Sequence, residues 1–119
     1  MANIQNSLET ILALDGAMCA ALVDSSSGMI LGEAGSGIDI EVAAAGNTEV
    51  VRSKMKTMAA LGLNDRIEDI LITLGKQYHI IRPCQNHDGI FIYVVLDKQR
   101  SNLAMARRKT QDVDGSLEV

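Results

Sequence analysis

The strongest constraint on the fold is an uninterrupted apolar run at residues 90–96, Ile-Phe-Ile-Tyr-Val-Val-Leu. A strand with one face in water alternates polar and apolar side chains, and this run does not alternate. Its β-branched and aromatic residues favour a strand, and such a run is typical of a central strand covered on both faces. Helices must then cover both faces of the sheet, which predicts three layers, helix–sheet–helix.

The residues before this run predict a helix, a hairpin and a connection. Apolar residues over 3–14 recur at helical spacing, and Asp15-Gly16 ends that pattern. Two short apolar segments, 17–23 and 29–31, flank a serine-rich turn and predict a β-hairpin. Residues 32–37 contain three glycines and predict a flexible connection.

A long helix is predicted over residues 39–61, with Gly62 as its C-terminal cap. One apolar stripe along it consists of Ala44, Val51, Met55, Met58 and Ala59. Val50 and Leu61 widen the apolar side beyond this stripe. A polar stripe consists of Glu49, Arg52, Ser53 and Lys56.

The second half predicts three strands and a last helix. Residues 67–74 and 77–82 read as strands, the first with Ile70 and Ile72 on one face and Leu71 on the other. An Asp-Gly turn precedes the central strand, and residues 102–110 read as a short helix. Residues 111–119 are polar and acidic and predict a flexible tail. The prediction is a single α+β domain over 1–110, ordered α-β-β-α-β-β-β-α around an antiparallel sheet.

Charge and composition exclude several classes of function. The net charge is −4, whereas nucleic-acid binding requires a basic surface. Aromatic residues make up 3%, too few for a platform that stacks bases or sugars. No stretch approaches the roughly 20 apolar residues of a membrane span, so no membrane insertion is expected. The first 15 residues lack a basic signal-peptide region, and the two cysteines lie far apart, which favours a cytoplasmic protein with reduced thiols.

Each candidate for chemistry has a stronger structural interpretation. Residues 32–37 lack the Gly-Lys-Ser/Thr of a phosphate loop. His79, Cys84, His87 and Asp88 lack the spacing of metal ligands, so we predict a sheet histidine, a buried thiol and a solvated turn. We therefore predict no catalytic residue, no metal and no cofactor.

Charged clusters also have structural interpretations. Asp65, Glu68 and Asp69 precede a strand, where charges discourage unwanted edge pairing. Arg107, Arg108 and Lys109 are expected in the last turn of a helix, where cations interact favourably with its dipole. With no reactive site, the sequence indicates a protein that acts through its surfaces.

Several segments together resemble the Roadblock/light-chain-7 domain family over nearly the whole chain. The first are Asp-Gly-Ala-Met-Cys-Ala-Ala-Leu-Val-Asp at 15–24 and Gly-Met-Ile-Leu at 28–31. The others are Val-Val-Leu-Asp at 94–97 and Asn-Leu-Ala-Met-Ala-Arg at 102–107. The resemblance implies a five-stranded sheet in the order 2-1-5-4-3, with the long helix on one face and the other two helices on the opposite face.

The resemblance also implies a function. Family members regulate or scaffold Ras-like small GTPases or serve as motor light chains, and the bacterial ones resemble a gliding-motility regulator that stimulates GTP hydrolysis. They commonly dimerise through the third strand and the long helix, which here correspond to Ile70, Leu71 and Ile72 and to Val51, Met55 and Met58. The polar stripe Glu49, Arg52 and Lys56 remains available for a partner. No arginine finger is evident, so any stimulation is expected to come from reshaping the GTPase's own switch loops.

Two alternatives remain open from the sequence. A ligand-sensing or general scaffold module with a PAS-like or profilin-like fold requires an apolar pocket with a few polar groups. An enzyme centred on Cys84 and His79 requires the two side chains to meet and the thiol to be activated.

Overall fold

The computed structural model describes residues 3–119, an open five-stranded antiparallel sheet with three helices. The elements are α1 (Ile4–Leu12), β1 (Ala17–Asp24), β2 (Ile30–Gly35), α2 (Ile40–Ala60), β3 (Ile70–Thr73), β4 (Gln77–Pro83), β5 (Ile90–Asp97) and α3 (Leu103–Ser116). The spatial order is β2-β1-β5-β4-β3. The α+β class, the element order and the strand order are therefore confirmed. Met1 and Ala2, which the predicted domain includes, lie outside the described residues.

The apolar run forms the middle strand of the sheet. Ile92, Val94 and Leu96 belong to the core layer beneath α1 and α3. Phe91 and Tyr93 belong to the layer beneath α2. Burial on both faces removes each of these side chains from water, which explains why the strand lacks polar alternation.

The C-terminal helix is longer than the sequence predicted. α3 begins after its N-cap Asn102 and continues to Ser116, so the flexible tail predicted from residue 111 is wrong. Val113 and Leu117 are buried against the core, and Asp114 is 1% exposed. Tertiary packing of these residues overrides a locally polar, glycine-containing sequence with poor helix propensity.

The glycine-rich segment at residues 32–37 also differs from the flexible connection that the sequence predicted. Gly32 and Gly35 lie within β2, which pairs with β1, rather than in a flexible connection. A Cβ at Gly32 would lie 2.5 Å from Cγ2 of Ile4, so α1 crosses β2 too closely for any side chain there. Gly35 has a φ of +82° and would place a Cβ against the carbonyl oxygen of Met18. These glycines permit close packing rather than flexibility.

α2 begins and ends as the sequence predicted. The side chain of Asp39 accepts a hydrogen bond from the Val42 N–H and caps the N-terminus. At the other end the chain turns at Gly62, which has a φ of +69°. The helix approaches the sheet most closely over β1 and β2, and the α2-facing sides of β3 and β4 are correspondingly less covered.

Candidate interaction surface

The apolar stripe predicted as an interface on α2 mostly faces the protein's own sheet. Val51 is 3% exposed and Met58 is 8% exposed, and Val51 packs into the core layer that contains Phe91. Both are therefore already buried in a single copy and are not available to a partner. Met55 is 46% exposed and is the one residue of this trio that remains open.

A neighbouring flank of α2 faces the less covered strands instead. At 100° per residue, Asn47, Val50, Lys54 and Leu61 project from one side of the helix. Asn47 lies beside the Tyr93 hydroxyl on β5, so this flank is turned toward β5, β4 and β3. Val50 and Leu61 are exposed. The sequence indicates that Val50 and Leu61 widen the apolar side of the helix. It does not indicate which strands they face, because that depends on how α2 crosses the sheet.

β3 is an edge strand that pairs only with β4. Ile70 and Ile72 project toward the α2 side, and Leu71 projects toward α1 and α3, as the predicted alternation requires. All three are half-buried, and none of the four residues of β3 carries a charge. The outer backbone N–H and C=O groups of such a strand offer a template for another strand.

The flank and the α2-facing side of the edge are treated together as one candidate surface, which we call the α2–β3 surface. Its members share the α2-facing side of β3 and β4 or the adjoining side of the helix. They are Asn47, Val50, Lys54, Leu61, Ile70, Ile72, Gln77 and His79.

A chain of polar side chains lies at the centre of this surface. Nε2 of His79 is 2.9 Å from Oε1 of Gln77, and Nδ1 of His79 is 3.0 Å from the Tyr93 hydroxyl. The rings of His79 and Tyr93 meet edge to face, with centroids 5.6 Å apart. Burial lowers the pKa of His79 and raises the pKa of Tyr93, so both rings are held uncharged near neutral pH.

A buried ion pair between β4 and α3 lies beside the segment that leads into β3. Nε of Arg82 on β4 is 2.9 Å from Oδ2 of Asp114 on α3. Arg82 also donates to the Glu68 carbonyl at 3.1 Å, and Asp114 accepts from the Gln85 backbone N–H at 3.1 Å. Gln85 in turn donates to the Ile67 carbonyl at 3.3 Å. We call these five residues the β3 frame, because they fix the segment that enters β3 to both β4 and α3.

The predicted roles of two charged clusters change as a result. Arg107 lies in the middle of α3, not in its last turn, and makes a bidentate pair with Asp69 at 2.8 and 2.9 Å. Asp69 therefore anchors the entry to β3 rather than simply repelling another strand. Arg108 pairs with Asp112 along the exposed side of the same helix.

The predicted partner-binding stripe lies on the solvent side of α2. Glu49, Arg52 and Lys56 are all exposed, and over residues 3–119 none of them forms an ion pair. The surface that they form is of mixed charge and adjoins the α2–β3 surface, because Glu49 lines one hollow with Val50 and Lys54.

The structure does not support a Cys84–His79 catalytic pair. Burial raises the pKa of the Cys84 thiol to about 12, with a further contribution from Asp114, so the thiolate is strongly disfavoured. The imidazole of His79 is occupied by Gln77 and Tyr93. Burial also raises the pKa of Cys19.

Other candidate sites are small or dispersed. His87, predicted as a solvated turn residue, instead places Nε2 2.9 Å from the Leu117 carbonyl and ties the β4–β5 turn to the C-terminus. Within residues 3–119, no three His, Cys, Asp or Glu side chains gather in a way that would hold a metal ion. None of the helices in that range has the length and apolarity of a bilayer-spanning helix.

A cleft of about 140 Å³ lies between the C-terminal half of α2 and the β4–β5 turn, and its wall includes Met55, Ile67 and Phe91. Small-molecule sites typically enclose roughly 300–1,000 Å³. This cleft is smaller than that range. Two larger hollows, of about 430 and 590 Å³, lie at the surface and are lined mostly by polar residues, so neither is the apolar pocket that the ligand-sensing alternative requires.

The sheet order, the helix arrangement and the open edge define the Roadblock/LC7 fold. The chain superposes on the Roadblock/LC7 domain from Streptomyces avermitilis with a TM-score of 0.82 at 11% identity, covering 97% of this chain and 94% of that one. It matches Myxococcus xanthus MglB with a TM-score of 0.79 at 15% identity, covering 94% and 91% of the two chains. It matches the gliding protein MglB from Thermus thermophilus with a TM-score of 0.70 at 16% identity, covering 94% of this chain and 88% of that one.

At the level of sequence, no family model and no curated protein matches the chain. The similarity therefore resides in the fold. At these low sequence identities the side chains differ from one protein to the next.

Proposed function

We propose that this protein is a non-catalytic, homodimeric regulatory module that binds a Ras-like small GTPase. The observation that supports the proposal most directly is the open edge of β3, an uncharged strand with Ile70, Leu71 and Ile72, together with the exposed Val50 and Leu61 on α2. The fold shared with MglB adds to it, and one solved MglB is described as having a tetrameric arrangement. The GTPase partner rests on the family resemblance of the sequence.

Self-association would pair β3 with β3 of a second copy. An antiparallel pair would satisfy the outer backbone groups of both edges and extend the sheet across two copies. The flanks of the two α2 helices would then cover Ile70 and Ile72 with Val50 and Leu61. Met55 lies at the margin of this contact, and Leu71 stabilises the strand from the α1–α3 side.

A single charge on the edge tests this pairing. Ile72→Lys places two ammonium groups within a symmetric contact, and like charges across a strand pair are destabilising. We expect the dissociation constant from sedimentation velocity to rise at least about tenfold, since about 1.4 kcal/mol corresponds to that factor. The matched control is Leu31→Lys, at an exposed apolar position on the opposite edge strand, which should leave the constant unchanged.

Two results would contradict the dimer. One is a wild-type protein that sediments as a monomer across the micromolar range. The other is equal weakening by both lysine variants, which would show a general effect of charge instead of a contact at β3. Circular dichroism of each variant confirms that the protomer remains folded.

The exposed stripe of α2 is the proposed contact for the GTPase. Glu49, Arg52 and Lys56 have no intramolecular ion partners among the described residues and remain available on a rigid helix. Replacing all three with alanine should weaken binding to a GTPase loaded with a non-hydrolysable GTP analogue, measured by isothermal titration calorimetry. The control replaces Gln5 and Glu9, which are exposed on α1 at the opposite layer.

Hydrolysis measurements separate binding from chemistry. If stimulation arises from reshaping the switch loops, Arg52→Ala raises the concentration of module needed for half-maximal effect and leaves the maximal rate unchanged. A drop of about 10³-fold in the maximal rate would instead identify Arg52 as an arginine finger. Failure of every tested Ras-like GTPase to bind would contradict the partner class.

A further inference from the structure

One titratable ring lies within the α2–β3 surface. His79 projects from β4 on the side that α2 leaves less covered, with its cross-strand neighbour Ile72 on β3. The ring is half-buried in a single copy. A second copy seated on this surface would remove the remaining water from it.

Both ring nitrogens of His79 have hydrogen-bond partners within the single copy. When Nε2–H donates to the side-chain oxygen Oε1 of Gln77, Nδ1 of the neutral ring accepts the proton of the Tyr93 hydroxyl. A proton on Nδ1 would require the Tyr93 oxygen to accept instead, and the hydroxyl proton would then have to turn toward another acceptor. The side-chain amide of Gln77 is oriented by a contact of 3.8 Å to the sulfur of Met18.

No acidic side chain compensates for a charge at this position. From β5 the ring meets Tyr93, and the carboxylate of that strand, Asp97, pairs in register with Gln77 and is engaged by Arg100 at 3.1 Å. From α2 the flank presents Asn47 and the cation Lys54, and β3 presents only uncharged residues. Burial alone lowers the pKa of His79 from its ordinary value of 6.5.

We propose that the α2–β3 surface binds a second copy of this chain only while His79 is uncharged, so that self-association is lost in mild acid. This inference rests on the proposed dimer and adds a proton-dependent control to it. The sign follows from burial. Because contact with a second copy further disfavours the charged ring, the dimer is complete at neutral pH and dissociates as protons bind the separate copies.

The magnitude follows from the number of protons linked to assembly. A symmetric dimer excludes one proton from each copy, so its dissociation constant rises by up to about 100-fold per pH unit once the pH lies well below the pKa of the free copy. We expect the dissociation constant to increase from pH 7.5 to pH 5.0, with the steepest rise at the acidic end of this range, measured by sedimentation velocity at constant ionic strength.

The chain contains two histidines, which provides a matched pair of variants. His79→Gln keeps a side chain that donates and accepts but cannot take up a proton, so its dissociation constant, whatever the value at pH 7.5, should not change down to pH 5.0. His87→Gln removes the other imidazole, which contacts the Leu117 carbonyl away from this surface, and should keep the wild-type pH dependence.

Proton NMR of the wild-type protein gives a readout that requires no folded variant. The pKa of His79 should be lower in a concentrated sample than in a dilute one, and that of His87 should not change with concentration. A dissociation constant that is independent of pH, or the same pH dependence in His79→Gln, would overturn this inference and leave the dimer standing. A wild-type monomer at pH 7.5 would overturn both.

Discussion

The two edges of the sheet differ in nearly every property that governs strand pairing. On β2 the register shifts so that Leu31 has no partner on β1, which is a β-bulge, and the strand also contains Gly32, Gly35 and Glu33. On β3 the pairing with β4 is regular and every residue is uncharged. Bulges, charges and glycines discourage pairing with another strand, whereas a regular apolar edge permits it.

The support behind each edge differs as well. β2 is held by close packing, since α1 lies directly against Gly32. β3 has only four residues, of which three are half-buried against the core layers, and the β3 frame positions the segment that leads into it. The short edge strand is therefore held by buried polar contacts in addition to its own apolar packing.

The largest expected effect comes from breaking the β3 frame. Asp114→Ala leaves the Arg82 guanidinium buried without its partner and the Gln85 N–H without an acceptor. We expect the free energy of unfolding, measured by urea denaturation, to fall by about 3–5 kcal/mol. Hydrogen exchange in β3 should accelerate more than exchange in β2.

Asp112→Ala serves as the control, because that carboxylate is exposed and pairs with an exposed arginine on the same helix. Its effect should be about 0.5 kcal/mol or less. Equal losses in the two variants would show that the frame contributes nothing specific to β3.

An intermediate loss of stability is expected from adding a side chain to the edge strand β2. Gly32→Val forces Cβ and its methyl groups into Ile4 and Leu8, and overpacking of this kind lowers stability by about 1–3 kcal/mol. Gly46→Ala is the contrasting variant, since a Cβ there meets nothing within 4 Å in the interior of α2. It should raise the free energy of unfolding by about 0.5–1 kcal/mol.

Gly32→Val should not alter the dissociation constant of the proposed dimer, because Gly32 lies in β2, at the edge of the sheet opposite β3. A weaker dimer in Gly32→Val at concentrations where the protomer is fully folded would mean that β2 takes part in self-association.

The smallest effect is expected at the margin of the open edge. Arg107→Ala removes the bidentate contact to Asp69, but the side chain of Arg107 is about half exposed, and solvent screens the pair. We expect a loss of about 0.2–1 kcal/mol in thermal or urea unfolding. A loss as large as that of Asp114→Ala would place the anchor of β3 at this exposed pair and not at the frame.

The elements that the sequence predicted well are those whose pattern is local. The apolar run at 90–96 is buried on both faces, and Asp39 and Gly62 mark the ends of α2 as their types indicate. Strand order came from the resemblance to a family, since pairing between distant segments leaves no periodic signal. The alternation of Ile70, Leu71 and Ile72 predicted which face each residue takes.

The predictions that were wrong share a cause in tertiary contact. Gly32 and Gly35 were taken for a flexible connection because the sequence does not show α1 crossing β2. The sequence predicts a tail in place of the last turns of α3, because the contact that holds these turns, between Asp114 and Arg82, joins residues 32 positions apart and leaves no local pattern. Val51 and Met58, predicted at an interface, are buried in the single copy, because an apolar stripe does not reveal whether it faces the protein's own core or a partner.

The unpaired Leu31 has a consequence for stoichiometry. A chain with two competent edges could add copies at both ends and grow into a fibre whose length depends on concentration. In the proposed dimer, β2 would lie at both ends of the joined sheet, where the bulge at Leu31 and the charge of Glu33 discourage the addition of another strand. Assembly beyond two copies is then expected to use helices or loops in place of a continuing sheet.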